Sequence, residues 1–196
     1  MFLSKTFTIL TLVCSEQTKH PKMLHYLVVF SCLYAMSMTM PVPDYYSYSP
    51  AAGEGSGTEF STAHEGRITG VRVYEYPYYG YYNYNYINGL QVQYDGNWTE
   101  LVGMNGYGNL KTMTLFDNEY FVQVSGKYYS GYVSELMFVT NEGRSFKVGQ
   151  PTGLSFNFYP THDGSELRFL SGRQNGFALT SIGAHWAVFN NNSTIS

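Results

Sequence analysis

The sequence predicts an all-β protein, and three observations carry that prediction. Tyr contributes 20 residues, Gly 20 and Phe 13, while charged residues make up only 13% of the 196; this composition suits short strands and tight turns better than solvated helices. Alternating or β-rich runs recur at close intervals after Gly53. No window of about 11 residues in that part carries the apolar stripe of an amphipathic helix. The length fits one domain with a sizeable core.

Taken in order, residues 1–40 read as a leader. The apolar run from Leu24 to Met38 follows Lys22 and contains the small residues of Ala35-Met36-Ser37, the pattern of a signal peptide, with Met23 as a candidate true start. At about 15 residues the run is short for a membrane span, which needs ~20. Removing Lys5, Lys19, Lys22 and Glu16 with the leader takes the formal charge from −3 to roughly −5. No partnership with nucleic acid is therefore expected. Both cysteines, Cys14 and Cys32, lie in the leader, so no disulfide framework or thiolate metal site is available to the processed chain. Asn97-Trp98-Thr99, Asn191-Asn192-Ser193 and Asn192-Ser193-Thr194 are N-glycosylation acceptors by pattern.

Residues 41–53 contain Pro41, Pro43 and Pro50 without clear periodicity and read as an extended tail. Strands are then expected at 68–74, 89–94, 101–103, 111–116, 120–125, 133–140, 144–148, 153–158, 166–170 and 180–189. The period of two is plainest where Leu90, Val92 and Tyr94 alternate with Gln91 and Gln93. Asp95-Gly96-Asn97, Asn105-Gly106, Asn141-Glu142-Gly143 and His162-Asp163-Gly164 supply turn chemistry between them. So many short strands require an architecture that protects its edges, and a sandwich, a barrel and a three-sheet prism all satisfy that.

Between two of these strands lies Tyr74-Glu-Tyr-Pro-Tyr-Tyr-Gly-Tyr-Tyr-Asn-Tyr-Asn-Tyr86, with eight tyrosines in thirteen residues. Such a segment suits either cross-strand aromatic packing or an adhesive, self-associating surface. Catalytic signatures are missing: there is no HExxH, no Gly-x-Ser-x-Gly and no motif that pairs two carboxylates, and His64, His162 and His185 are scattered. Gly53-Glu-Gly-Ser-Gly57 has neither the preceding strand nor the following helix of a phosphate loop. No enzyme activity, cofactor or metal is expected.

The stretch Ser171-Gly172-Arg173-Gln174-Asn175-Gly176-Phe177-Ala178-Leu179-Thr180, followed by Ile182-Gly183-Ala184-His185-Trp186, resembles the sugar-binding loop of jacalin-type lectins. It is similar in particular to the secreted zymogen-granule lectins of vertebrates, and the resemblance runs from about Glu54 to Phe189. It implies a β-prism I of three four-stranded antiparallel sheets with pseudo-threefold symmetry, in residues 54–189, followed by a short tail at 190–196. It also implies a non-catalytic, secreted protein whose partners are glycans or glycoproteins of mucus or microbial surfaces. The glycan pocket would be shallow and metal-independent, formed by Gly55, Ser56 and Gly57, by Lys127, Tyr128 and Tyr132 of a recognition loop, and by Asn175, Gly176, Phe177, Ala178, Leu179 and Thr180. In that family a loop aspartate accepts hydrogen bonds from sugar hydroxyls while neighbouring backbone N–H groups donate. This chain has Thr180 at the aspartate position, so its pocket has one neutral hydroxyl where an ionised acceptor is expected. That departure favours a second expectation, in which the prism is a scaffold and the tyrosine insert mediates association between proteins.

Overall fold

The computed structural model describes residues 42–76, 86–104 and 108–189, and these contain thirteen strands and no helix. The first sheet runs β1 (Tyr45–Gly53), β13 (Leu179–Val188), β12 (Glu166–Gln174), β2 (Thr58–Ser61). The second runs β10 (Ser145–Gly149), β9 (Tyr132–Thr140), β8 (Phe121–Tyr129), β11 (Leu154–Phe158). In the third, β3 (Ile68–Glu75) lies between β4 (Ile87–Tyr94) and β7 (Asn109–Thr114). The outer place beside β4 is shared by two short segments, β5 (Asn97–Trp98) and β6 (Val102–Gly103). Every pairing is antiparallel and each sheet is four strands wide, the β-prism I that the resemblance implies.

Alternation along the strands decides what faces inward. Leu90, Val92 and Tyr94 of β4 are buried while Gln91 and Gln93 are half-exposed. Val71 and Val73 from the third sheet, Leu136 and Phe138 from the second, and Leu170, Ile182 and Trp186 from the first enter one apolar core. Two hairpin turns use the primed geometry that matches strand twist: Asp95 and Gly96 have φ of 47° and 84°, and Ser130 and Gly131 have 50° and 86°.

Two expectations are corrected here. Residues 45–53 are not a tail but the edge strand β1, paired with β13 from Tyr45↔Val188 to Gly53↔Ser181. The signal for this is the Tyr-Ser alternation itself. Ser49 faces inward and its Oγ accepts the indole N–H of Trp186 at 2.9 Å, while Tyr46 and Tyr48 face outward, against Phe169 and His185. Pro50 falls at the register break between Ser49 and Ala52, where the ladder is interrupted. Likewise, the recognition loop expected to hold Lys127, Tyr128 and Tyr132 is only Ser130-Gly131, because β8 continues to Tyr129 and β9 begins at Tyr132. The Asn105-Gly106 turn, the tyrosine insert from 77 to 85, the leader and the acceptors at Asn191 and Asn192 lie outside the described residues.

Beneath the β8–β9 hairpin's far end, Glu119 is buried and accepts from the Phe116 N–H at 2.8 Å and from Arg144 Nη1 at 2.6 Å. Burial alone would raise this carboxyl, but the Phe116 hydrogen bond and the Arg144 charge outweigh it and hold it below the ordinary value of 4.5. A group depressed on folding stabilises the protein above its unfolded pKa, and that contribution is lost as pH falls through the lower folded value. Urea midpoints should therefore decline as pH falls below about 4.5, and Glu119→Gln should flatten that decline while lowering the midpoint near neutrality.

Candidate functional site

Three loops meet at one end of the prism: 54–57 between β1 and β2, the Ser130-Gly131 turn, and 175–178 between β12 and β13. The order β1-β13-β12-β2 brings the first and last together. Gly55 N–H donates to the Thr180 carbonyl at 3.2 Å, and Thr180 Oγ1 donates to the Ser56 carbonyl at 2.5 Å. Gly57 has φ of 89°, and a Cβ there would lie 2.2 Å from the Gln174 carbonyl oxygen, so only glycine permits this approach. Arg173 fastens the same loop, donating from Nη1 to the Gly57 carbonyl at 3.2 Å and from Nη2 to Glu59 at 2.7 Å.

The 175–178 loop is organised from within. Asn175 Oδ1 accepts from the N–H groups of both Phe177 and Ala178 at 3.1 Å, and Gln174 Oε1 accepts from the Gly176 N–H at 2.5 Å. Asn175 Nδ2 reaches the Tyr132 hydroxyl at 3.2 Å, which ties the last loop to the start of β9. From the third sheet, Asn88, fully buried, donates to the Phe177 carbonyl at 3.1 Å. The Phe177 ring meets Tyr76, Tyr86 and Tyr132 at centroid distances of 5.6, 6.1 and 6.2 Å, and Tyr86 lies 4.3 Å from Tyr132. Tyr76 N–H donates to the Tyr86 carbonyl at 2.9 Å, so the stems of the tyrosine insert close beside this loop.

The sequence-predicted site residues divide. Gly55, Ser56, Gly57, Tyr132, Asn175, Gly176 and Phe177 converge on this end. Ala178, Leu179 and Thr180 belong to it by their backbone, but their side chains are fully buried, and the Thr180 hydroxyl is committed to Ser56. The Phe177 and Ala178 amides, expected to point toward a ligand, are already satisfied by Asn175. Lys127 and Tyr128 are in β8 rather than in a loop: Lys127 lies on the sheet's outer side with Nζ 2.8 Å from Ser155 Oγ, and Tyr128 packs against the core. Sequence reasoning also missed three contributors. Asn88 sits in a strand pattern that gives no hint of a loop contact, and Arg173 was read only as part of a motif. The third is Glu54, exposed in the first loop: a Cβ on Gly131 would lie 3.4 Å from Glu54 Oε2, and among the described residues no cation pairs with that carboxylate.

Comparison with known proteins bears on the family and the fold. A family model described as the jacalin-like lectin domain matches residues 48–185. Zymogen granule membrane protein 16 of Homo sapiens is 41% identical over 146 residues, covering 73% of this chain and 81% of that protein. Prostatic spermine-binding protein of Rattus norvegicus is 34% identical over 107 residues, 54% of this chain and 36% of that protein. Among solved structures, a prostate-specific WGA16 glycoprotein lectin superposes with a TM-score of 0.61 at 29% identity, covering 72% of this chain and 99% of that one. The agglutinin of Calystegia sepium gives 0.61 at 20% identity, covering 77% and 100%, a likeness of fold.

Proposed function

Because the chain belongs to the jacalin-like lectin family, we propose that it is a secreted, non-catalytic lectin that binds glycans, without metal, at the mouth where the three loops meet. The observation that carries this reading is the carboxylate of Glu54 beside Gly131, at the rim of a loop system fastened by Thr180, Arg173 and Asn175. An ionised oxygen accepts from a sugar's vicinal hydroxyls more strongly than a neutral one, so Glu54 takes the acceptor role that Thr180 does not fill. Ser56, exposed on the same loop, offers a hydroxyl, and the Tyr132 and Phe177 rings border the mouth with apolar carbon. Affinity for one sugar residue is weak in such an open site, and useful strength comes from several sites engaging together. Residues 1–40 act as the leader, and the relative named for zymogen granules supports delivery through secretory granules.

The test is expression of the full chain in mammalian cells, with the medium applied to a glycan array beside Glu54→Gln. Wild type should bind a defined glycan class, and the variant should bind about tenfold more weakly, the worth of one charge-assisted hydrogen bond. Absence from the medium counts against secretion. Silence of the secreted wild type counts against the lectin reading and favours the second one, a prism scaffold in which the tyrosine insert associates with proteins of mucus or with its own kind. The complete burial of Thr180 is the observation that favours that alternative.

A further inference from the structure

The outer face of the first sheet, beside the first loop of the mouth, carries a built arrangement of which the lectin reading uses only the Arg173–Glu59 pair. Its residues fall in rows across the strands, because directly paired residues share a face. Tyr48, His185 and Phe169 form one row, by the pairings Tyr48↔His185 and Phe169↔His185. Their rings are in contact, with centroids 4.7 Å apart for Tyr48 and His185 and 4.0 Å for Phe169 and His185. Two rows along, Ser181 pairs with Arg173, and Arg173 with Glu59. The row between has almost no side chain: Gly183 pairs with Ser171 and Ser171 with Ser61.

The result is a trough of about 440 Å³ whose lining runs from the Tyr48 ring over the small residues Gly53, Ser171 and Ser181 to the Arg173–Glu59 pair and reaches Gly55 of the first loop; His185 and Phe169 support the Tyr48 ring from outside that lining. Tyr48 forms one wall. It is 51% exposed, its hydroxyl accepts the Ala51 N–H at 3.1 Å, and its ring leans over Gly183, where a Cβ would lie 3.2 Å from Cε2. Across the floor, Ser171 Oγ and His185 Nε2 are 2.8 Å apart. On the far side, the Arg173 and Glu59 groups lie 2.7 Å apart and both remain open to solvent.

We propose that this trough is a second glycan site, seating one or two residues of a β-linked pyranose chain. The volume falls in the range of small-ligand sites. The two walls match the two surfaces of a pyranose whose hydroxyls are equatorial, namely an apolar face of C–H groups and an edge of hydroxyls. Arg173 and Glu59 offer a donor and an acceptor side by side to adjacent hydroxyls, and their charges cancel, so the wall selects a neutral ligand over an anion. The proposal is distinguished from the loop reading by Tyr48, which takes no part in the mouth, whereas the Arg173–Glu59 pair also fastens the first loop.

Isotope-labelled full chain titrated with cellotetraose, with maltotetraose as the α-linked control, tests it by NMR. Cellotetraose should shift the ring signals of Tyr48 and His185 and the amides of Ser171 and Gly183, and Tyr48→Ala should weaken that binding about tenfold. Glu59→Gln, at an exposed side chain whose partner Arg173 also holds the first loop, should weaken it by a smaller factor. Shifts confined to 175–180, no shift with cellotetraose, or unchanged affinity in both variants would overturn the site. So would shifts of Tyr48 and Phe169 that depend on protein concentration without sugar, which would make the face a contact between copies. If the trough signals shift while glycan arrays show Glu54→Gln to be without effect, the trough stands and the loop reading falls.

Discussion

Trp186→Ala is expected to lower stability by about 3–5 kcal/mol, the cost of a large cavity where a buried indole has been. Trp186 is 1% exposed near the end of β13, the most buried strand of the first sheet, and it shares one apolar core with side chains from all three sheets. The indole also satisfies Ser49 of the edge strand at 2.9 Å. Truncation therefore opens a void and leaves a buried hydroxyl without its donor, and the second effect falls on β1, which pairs with one strand, β13, among the described residues. Against a total of about 5–15 kcal/mol for a domain, such a loss removes a large share of the folded population's margin. Urea denaturation of wild type, Trp186→Ala and Trp186→Phe measures it. The phenylalanine variant, which keeps much of the volume but not the N–H, should lose roughly half as much. Equal losses in the two variants would mean that the hydrogen bond to Ser49, rather than the core volume, anchors the edge.

The same strand shows how far the sequence could be read. Ile182, Ala184 and Trp186 alternate with Ser181, Gly183 and His185, and strands with this plain period are found where expected. Edges were harder. β1 reads Tyr-Ser-Tyr-Ser, so its inward residues are serines, and a search for apolar alternation passes over a strand whose inward role is to accept one indole hydrogen bond. β2 and β5, at four and two residues, are too short for periodicity to register and exist because a neighbouring strand offers a ladder. The choice of a prism over a sandwich or barrel came from the resemblance around Ser171 to Trp186, since strand order is a long-range property that local pattern does not encode.

At the site, the loops that meet are the ones the resemblance implies, and the positive φ at Gly57 and Gly131 is a local demand that glycine meets. What escaped was direction. Lys127 and Tyr128 have suitable chemistry for sugar contact, but one falls on the outer side of a strand and the other on its core side, a consequence of where the hairpin turns. Asn175 was expected to line the pocket; its oxygen fills the bonding capacity of two loop amides. Nothing in a single sequence distinguishes an asparagine that binds outward from one that folds back.

Thr180→Asp, the substitution that would give this loop the aspartate of the family pattern, is expected to destabilise the protein by about 2–4 kcal/mol at neutral pH and not to create sugar binding on its own. The threonine side chain is fully buried and acts as a donor, with Oγ1 2.5 Å from the Ser56 carbonyl oxygen. An ionised aspartate has no proton to give and sets a charge against that carbonyl in a fully buried place. Burial and the facing carbonyl both raise the carboxyl's pKa. A group raised on folding stabilises only below its unfolded value, so the deficit should be least in acid, where the protonated side chain can again donate to Ser56. It should grow as pH rises above about 3.9 toward the raised folded value. Thr180→Val, which keeps the shape and drops the hydroxyl, should cost about 1 kcal/mol with no such pH dependence. Urea midpoints of the three proteins across that range, with mannose added in a parallel series, decide the matter. A Thr180→Asp protein as stable as wild type that binds mannose would mean that the carboxylate turns outward and that Ser56 tolerates the loss of its donor. The strut between the first and last loops would then be dispensable, and the closed arrangement around Thr180 would be one of two that the loops can adopt.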